Sequence, residues 1–229
     1  MAPPAVRAHT FFMDTHGIPE CFDREAACCT PKTLQRRHSQ SLPLADALEA
    51  SGIRSMSVLE IGSGAGALAR ELARRGARSV MGLDLSAESV AIARREAAAE
   101  GLADTVRFEV GNGASEPLEA HDVVVMDHVL CCYPRARELI THTSAAARRV
   151  FAFTAPRNEG ALRIFWRLGI WVENTYHALR RRQFRAYLHD LGDIDRWLRD
   201  QGLTPAKRFS RRGWLHAVYV RSERRQTSV

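Results

Sequence analysis

Short apolar runs alternate with segments of helical spacing from Met56 onward. SMSVLEIG, SVMGLDL and TVRFEV have the pattern of buried strands, and the segments between them predict helices that end at Gly76 and Gly101. Ser86 is the predicted N-cap of the second helix. HDVVVMD and RRVFAFTAP are further strand candidates, with a helix predicted over 134–147 between them. Strands separated by such helices predict a parallel sheet covered on both faces.

The end of the chain departs from this alternation. TPAKRFSRRGWLHAVYVRSE contains two β-like runs around Arg212-Gly213, with no room for a helix between them. This segment predicts an antiparallel hairpin at the sheet edge. We therefore expect a Rossmann-like, doubly wound α/β fold with a mostly parallel seven-stranded sheet and an antiparallel last strand.

The length of 229 residues favours one domain, which we divide into four parts. Residues 1–50 are predicted to be a helical leader that packs over the cofactor mouth, and residues 51–156 form the cofactor-binding core. Residues 157–190 are longer than the fold needs at this point and are interpreted as a substrate lid. Residues 191–229 supply the last helix and the terminal hairpin.

Composition and charge leave several partners open. A hydrophobic content of 45% with 26% charged residues is typical of a globular protein, and no signal peptide or run of 18 apolar residues is visible, so we expect a cytoplasmic protein. The net charge of +7 is compatible with nucleic acid, a membrane surface or an acidic small molecule. No CxxC pair occurs among the five cysteines, so we predict reduced thiols and no metal site.

Glu60-Ile61-Gly62-Ser63-Gly64-Ala65-Gly66 follows a predicted strand and begins a predicted helix, as a nucleotide-binding glycine loop does. Asp84 ends the next strand, 22 residues beyond Gly62, where a carboxylate can accept hydrogen bonds from two ribose hydroxyls. Gly62, Gly64 and Ala67 also satisfy GxGxxA, so an NAD-dependent oxidoreductase stays an alternative. Glu60 favours a cationic ligand over a pyrophosphate, which it would repel.

Four successive segments, VLEIGSGAG, GLDLS, FEVGNGA and VVVMDHVLCCYP, resemble the motifs of class I S-adenosylmethionine-dependent methyltransferases over about 100 residues. The antiparallel ending agrees with this resemblance. The resemblance implies S-adenosylmethionine as cofactor. Asn112 would lie at the adenine amino group, Leu85 would pack against the adenine ring, and Gly113 would leave space for that ring. The implied cofactor-binding residues are Glu60, Gly62, Ser63, Gly64, Gly66, Asp84, Leu85, Asn112, Gly113 and Asp127.

More narrowly, VLCCYP and the later QFRAYLHD resemble magnesium-protoporphyrin O-methyltransferases and related small-molecule enzymes, from Phe22 onward. This sequence has Asp127-His128 where those relatives favour a His-Arg pair. Asp127 and His128 follow the fourth predicted strand, beside the cofactor, so we take His128 as the first candidate for a general base. His189 is the second candidate, and Asp190 either orients it or caps the next helix.

Aromatic residues and arginines mix with helical spacing in ALRIFWRLGIWVENTYHALRRR, within the insertion. Three interpretations compete: a lid over a hydrophobic or planar substrate, an amphipathic helix on anionic lipid, and a plain core helix. The lid is favoured, and membrane contact is the least favoured of the three. A basic cluster could receive a substrate carboxylate; it consists of Arg180, Arg181, Arg182 and Arg185.

The leading functional hypothesis is methyl transfer from S-adenosylmethionine to oxygen or nitrogen of a small metabolite, such as a secondary metabolite or a tetrapyrrole-like acid. The reaction is an in-line displacement, so the enzyme chiefly aligns the reacting atoms. An RNA methyltransferase or RNA-binding module is the second hypothesis, motivated by the charge. We do not favour nucleic acid, because the sequence has no RNP-like pattern or appended RNA-binding domain.

Overall fold

The computed structural model describes residues 18–180, 182 and 184–222. This part of the chain contains a seven-stranded sheet and seven α-helices. The strands are β1 (Ser57–Ile61), β2 (Ser79–Asp84), β3 (Val106–Val110), β4 (His121–Met126), β5 (Ala147–Pro156), β6 (Leu203–Arg211) and β7 (Trp214–Arg221). The helices are α1 (Ile18–Ala27), α2 (Pro31–Ala50), α3 (Ala67–Arg74), α4 (Ala87–Ala99), α5 (Ala136–Ala145), α6 (Leu162–Leu179) and α7 (Leu191–Asp200).

The strands are ordered β3-β2-β1-β4-β5-β7-β6. β1 to β5 are parallel, whereas β7 runs antiparallel to both β5 and β6. The doubly wound sheet and the antiparallel last strand are thereby confirmed. From β1 the chain adds β2 and β3 on one side of the sheet, and from β4 it adds β5 on the other side. The strand order therefore reverses between the neighbouring strands β1 and β4. A crevice forms at the carboxyl ends of strands at such a point.

Strand residues alternate between two buried clusters, one on each face of the sheet. Val58, Val123 and Val125 pack with residues of α2, α3 and α4, whereas Leu59 and Val124 pack with residues of α5 and α7. The burial of both faces explains why these strands have continuous apolar runs instead of an alternating pattern. The sheet therefore fixes the positions of the strand ends.

Local capping sets the helix boundaries. The Ser86 hydroxyl accepts a hydrogen bond from the Ser89 N–H at 3.0 Å, which confirms Ser86 as the N-cap of α4. The helix predicted over 134–147 is shorter than expected: α5 begins at Ala136 and ends at Ala145, because a 3₁₀ turn over Leu130–Cys132 and Pro134 precede it and β5 begins at Ala147. Asp190 caps α7, accepting from the Gly192 N–H at 2.8 Å.

Helix α1 packs against α4, and helix α2 packs against α3 and the sheet. Thr30 caps α2 through the Thr33 N–H, and Pro31 occupies its first turn. Leu44 and Leu48 in the second half of α2 are fully buried against the sheet. Residues 1–17 of the predicted leader lie outside the described residues.

Helix α6 lies in the predicted insertion and contains no buried residue. The interpretation of this segment as a plain core helix is therefore wrong. Its half-buried stripe consists of Leu162, Trp166, Ile170, Asn174 and His177, and its remaining large apolar side chains are exposed. Across the described ranges, no helix combines the length and apolar content needed to cross a bilayer.

Candidate cofactor and catalytic site

The loop between β1 and α3 requires glycine. Gly62 and Gly66 have φ of 69° and 73°, in the left-handed region that a side chain disfavours. A Cβ on Gly62 would lie 2.5 Å from Val129 Cγ2, and one on Gly66 would lie 2.4 Å from Phe108 Cζ. The loop thus packs directly on its neighbours, and its backbone is exposed to a ligand at the strand ends.

Asp84 holds this loop from the end of β2. Its Oδ2 accepts a hydrogen bond from the Gly64 N–H at 2.7 Å, and its Oδ1 accepts from the Ser86 N–H at 2.9 Å. Burial raises the pKa of Asp84, although both backbone hydrogen bonds oppose that shift. Each oxygen retains a lone pair, so the carboxylate can also accept hydrogen bonds from ligand hydroxyls.

Glu60, in β1, is a buried acid with an incomplete set of partners. It is 2% exposed, and its Oε2 has no hydrogen-bond partner among the described residues. Burial, followed by repulsion from Asp127, raises the pKa of Glu60 well above its usual range. A buried carboxyl group of this kind would be satisfied by a cationic or hydrogen-bond-donating ligand in the crevice.

Asp127 and His128 form a hydrogen-bonded pair immediately after β4. The His128 Nδ1 lies 2.8 Å from Asp127 Oδ1. Asp127 Oδ1 also accepts from the Thr154 hydroxyl at 2.8 Å, and its Oδ2 accepts from the Ser41 hydroxyl at 2.7 Å. The Thr154 oxygen in turn accepts from the His128 N–H at 2.7 Å, which holds a residue whose φ is 59°.

These contacts set the protonation of the pair. Burial opposes ionisation of Asp127, but hydrogen bonds from His128, Ser41 and Thr154 outweigh it and lower the pKa of Asp127. Burial also favours neutral His128, yet the Asp127 carboxylate outweighs it and raises the pKa of His128. In the neutral imidazole, Nδ1–H donates to Asp127, which leaves Nε2 as the basic nitrogen.

A cavity of about 320 Å³ lies at the carboxyl ends of β1 and β4, where the strand order reverses. The predicted site residues that line it are Glu60, Gly62, Ser63, Gly64, Asp84, Leu85, Asp127 and His128. Sequence reasoning missed the residues from the helical leader, which are Phe22, Ala26, Arg36, Arg37, Gln40 and Ser41. It also missed Thr154, although the position of Thr154 near the carboxyl end of β5 is a usable signal for a site residue.

Four predicted site residues do not line the cavity. Gly66 is the N-cap of α3 and packs on Phe108, and a Cβ on Gly113 would lie 2.8 Å from Ile61, so both glycines serve close packing. Asn112 Oδ1 accepts from the Ala114 N–H at 3.0 Å. The His189 Nε2 lies 2.9 Å from the Tyr133 carbonyl oxygen, and burial lowers the pKa of His189. Direct roles for these residues stay predictions.

Fold and site together define a class of protein. A doubly wound sheet carries, at its switch point, a glycine loop, an acid after the second strand and a buried acid in the first. This is a Rossmann-like protein whose cavity suits a nucleoside ligand with a cationic group.

Residues 58–151 match the family model described as a methyltransferase domain. The ubiquinone biosynthesis O-methyltransferase of Cronobacter sakazakii is 34% identical over 113 residues, which cover 48% of this chain and 46% of that protein. The ribosomal protein L11 methyltransferase of Deinococcus radiodurans is 31% identical over 117 residues, covering 49% of this chain and 41% of that protein. The chain therefore spans less than half the length of these curated relatives.

Solved structures show the same fold. The magnesium protoporphyrin IX methyltransferase from Synechocystis PCC 6803 with bound S-adenosylhomocysteine aligns with a TM-score of 0.69 at 22% identity, covering 90% of this chain and 98% of that one. An O-methyltransferase family 2 protein from Planctomyces limnophilus, in complex with apigenin, aligns with a TM-score of 0.70 at 13% identity, covering 92% and 63%. Residues 58–151 thus match a methyltransferase domain, and the relatives and the shared fold support the predicted class I S-adenosylmethionine-dependent methyltransferase over the oxidoreductase alternative.

Proposed function

We propose that this protein transfers the methyl group of S-adenosylmethionine to an oxygen or nitrogen atom of a small molecule. The observation that carries the proposal is the juxtaposition, in one cavity, of the glycine loop, the incompletely bonded Glu60 and the Asp127–His128 pair. The glycine loop and Glu60 suit the cofactor, and the pair suits a substrate that must lose a proton.

The residues present fit the cofactor. Glu60 Oε2 and Ser63 Oγ are buried polar atoms without partners among the described residues, and both residues line the cavity. The α-ammonium group of S-adenosylmethionine would satisfy the Glu60 carboxylate, and Asp84 would accept from the ribose hydroxyls. When bound, S-adenosylmethionine supplies a methyl carbon activated by its sulfonium.

His128 is the proposed general base. Nε2 of His128 would accept the proton that the substrate oxygen or nitrogen loses when it takes the methyl group. Asp127 holds the tautomer in which Nε2 carries the lone pair, and it stabilises the imidazolium that forms. Ser41 and Thr154 are positioning residues: Ser41 acts on His128 through Asp127, and Thr154 acts both through Asp127 and by accepting from the His128 N–H.

The cavity supports a small substrate with apolar and acidic parts. Phe22 and Tyr133 supply aromatic surface, and Arg36 and Arg37 are basic groups that line the same cavity. Among the relatives, several methyltransferases are named for ubiquinone biosynthesis and for magnesium protoporphyrin IX, which are small molecules. A ubiquinone precursor or tetrapyrrole-like acid fits this description, whereas RNA is not favoured.

Calorimetric titration with S-adenosylhomocysteine and, separately, NAD tests the cofactor assignment. We expect S-adenosylhomocysteine to bind and NAD to give no heat. Asp84→Ala should abolish S-adenosylhomocysteine binding. Asp122 lies at the end of β4 away from the cavity, so Asp122→Ala should leave this binding unchanged. Tight NAD binding without a response to S-adenosylhomocysteine would refute the proposal. Incubation with methyl-labelled S-adenosylmethionine and a metabolite extract would then identify the substrate by mass spectrometry.

A further inference from the structure

The outer face of α6 is an apolar surface of unusual extent. Of the eight large hydrophobic side chains that are exposed in the described ranges, all but Val110 belong to this helix. They are Ile164, Phe165, Leu168, Trp171, Val172, Tyr176 and Leu179, and we call this set the α6 apolar face. Positions 164, 168, 171, 172 and 179 follow the helical repeat, so the side chains form one continuous stripe. Contiguous exposed patches of this kind mark interaction sites.

Contacts on the inner side of α6 hold the helix with its apolar face toward the outside. On the opposite side of α6, the Trp166 Nε1–H donates to the Gly213 carbonyl at 3.2 Å. Asn174 makes two hydrogen bonds to Ala186, donating from Nδ2 to the carbonyl at 2.9 Å and accepting from the N–H at 2.7 Å. Because the inner stripe already holds the helix on the body, the α6 apolar face is directed away from the cavity.

Positive charge lies near both ends of the same face. Arg163 and Arg167 lie in the first half of α6, and Arg180 and Arg182 follow its end, with Glu173 as the only acidic residue in the helix. The side chains of Arg180 and Arg182 lie 5.3 Å and 5.8 Å from the ring centre of Tyr176. Among the described residues, none of these four arginines forms an ion pair with a carboxylate. The ion pairs that occur there are made by other arginines.

Charge selects the partner. The chain has a net charge of +7, so a second copy would bring like charges against this face. An anionic bilayer instead offers acyl chains to the apolar stripe and negative headgroups to the arginines that flank it. We propose that α6 lies in the surface of an anionic membrane, with its apolar face in the headgroup and acyl boundary.

Membrane binding at α6 would place the bilayer next to the catalytic cavity. The Trp166 ring packs on Trp214 with 5.4 Å between centroids, and Trp214 packs on His128 at 4.1 Å. At the other end, His177 packs on Phe184 at 4.9 Å, and Phe184 packs on Phe22, a cavity residue, at 5.8 Å. This arrangement suits an enzyme whose substrate is taken from, or delivered to, a lipid phase.

Co-sedimentation of the full chain with vesicles tests the proposal without any assay of methyl transfer. We expect binding to vesicles of mixed phosphatidylglycerol and phosphatidylcholine, and little binding to phosphatidylcholine alone. Each arginine near an anionic surface contributes about fivefold to the binding constant, so the double variant Arg163→Gln/Arg167→Gln should bind at least tenfold more weakly. Binding should also fall several-fold when salt is raised, because the headgroup attraction is screened.

Leu168→Glu should abolish vesicle binding. Two matched controls lie outside α6: Val110→Gln changes an exposed apolar residue, and Arg95→Gln changes an exposed arginine. Neither control should change vesicle binding. Circular dichroism melts of all variants should match the parent, since the substituted side chains are exposed. Two outcomes would overturn the proposal: absence of binding to anionic vesicles, or a concentration-dependent dimer in light scattering that Leu168→Glu dissociates.

Discussion

Phe151 and Phe165 have the same side chain and lie in regions that use it in opposite ways. Phe151, in β5, is fully buried and lies 6.4 Å from the ring of Phe153, in the cluster beneath α5 and α7. Phe165, in α6, is 70% exposed. The sheet therefore derives its rigidity from apolar packing and holds the strand-end site in place, whereas the apolar face of α6 is not required by the fold and is accounted for by a partner.

The largest expected effect tests this contrast directly. Phe151→Ala should lower the free energy of unfolding by about 4 kcal/mol, since it removes a buried ring and leaves a cavity. Phe165→Ala should change it by less than about 0.5 kcal/mol, as surface substitutions generally do. Urea unfolding followed by circular dichroism measures both. A large loss of stability in Phe165→Ala would mean that the outer face of α6 packs on something within the protein.

Within the site, His128 is distinguished from His189 by position. His128→Ala should lower kcat by about 100-fold while the affinity for S-adenosylhomocysteine stays within about twofold, because a general base contributes to turnover more than to cofactor binding. His189, which does not line the cavity, is the matched position: His189→Ala removes a hydrogen bond to the Tyr133 carbonyl and should retain most of its kcat. Full activity in His128→Ala together with a collapse in His189→Ala would reverse the assignment of the base.

The Asp127 carboxylate should set the pH at which His128 works. Since Asp127 raises the pKa of His128 and the base must be neutral, activity should rise with pH through that raised value. Asp127→Asn removes the charge, so the rising limb of kcat should move to lower pH by about one unit, given that a charge-assisted hydrogen bond is worth about 1.5 kcal/mol or more. Asp122→Asn should leave the limb in place. An unchanged limb in Asp127→Asn would show that His128 is not the titrating group.

The parts of the site that the sequence predicts are those formed by neighbouring residues. The glycine loop, Asp84 and the Asp127-His128 pair each follow a strand directly, and the loop and its strand have a recognisable spacing. Ser41 reaches Asp127 from 86 residues away, and Thr154 from 27 residues away, so no local pattern encodes these contacts. Likewise, the helical repeat of α6 predicts an apolar stripe, but only the packing of Trp166 and Asn174 shows which side faces outward.

The smallest effect is expected at Thr154, which is fully buried at the end of β5 and touches the substrate cavity only through Asp127 and His128. Thr154→Val keeps the shape of the side chain but removes one hydrogen bond to the carboxylate and the acceptor for the His128 N–H. The bond to the carboxylate is charge-assisted and the bond from the His128 N–H is neutral, but both act on the imidazole only indirectly, so kcat should fall about threefold to fivefold. The same loss leaves the Asp127 carboxylate more basic and a stronger partner for the imidazolium, so the pH limb should shift slightly upward, opposite to the shift expected for Asp127→Asn. Thr143→Val is the matched control, because Thr143 is equally buried but donates within α5 to the Leu139 carbonyl at 2.7 Å. Thr154→Ser should restore both kcat and the pH limb. If Thr143→Val and Thr154→Val lost activity equally, the effect would belong to general stability, and the sheet would support the site only through its packing.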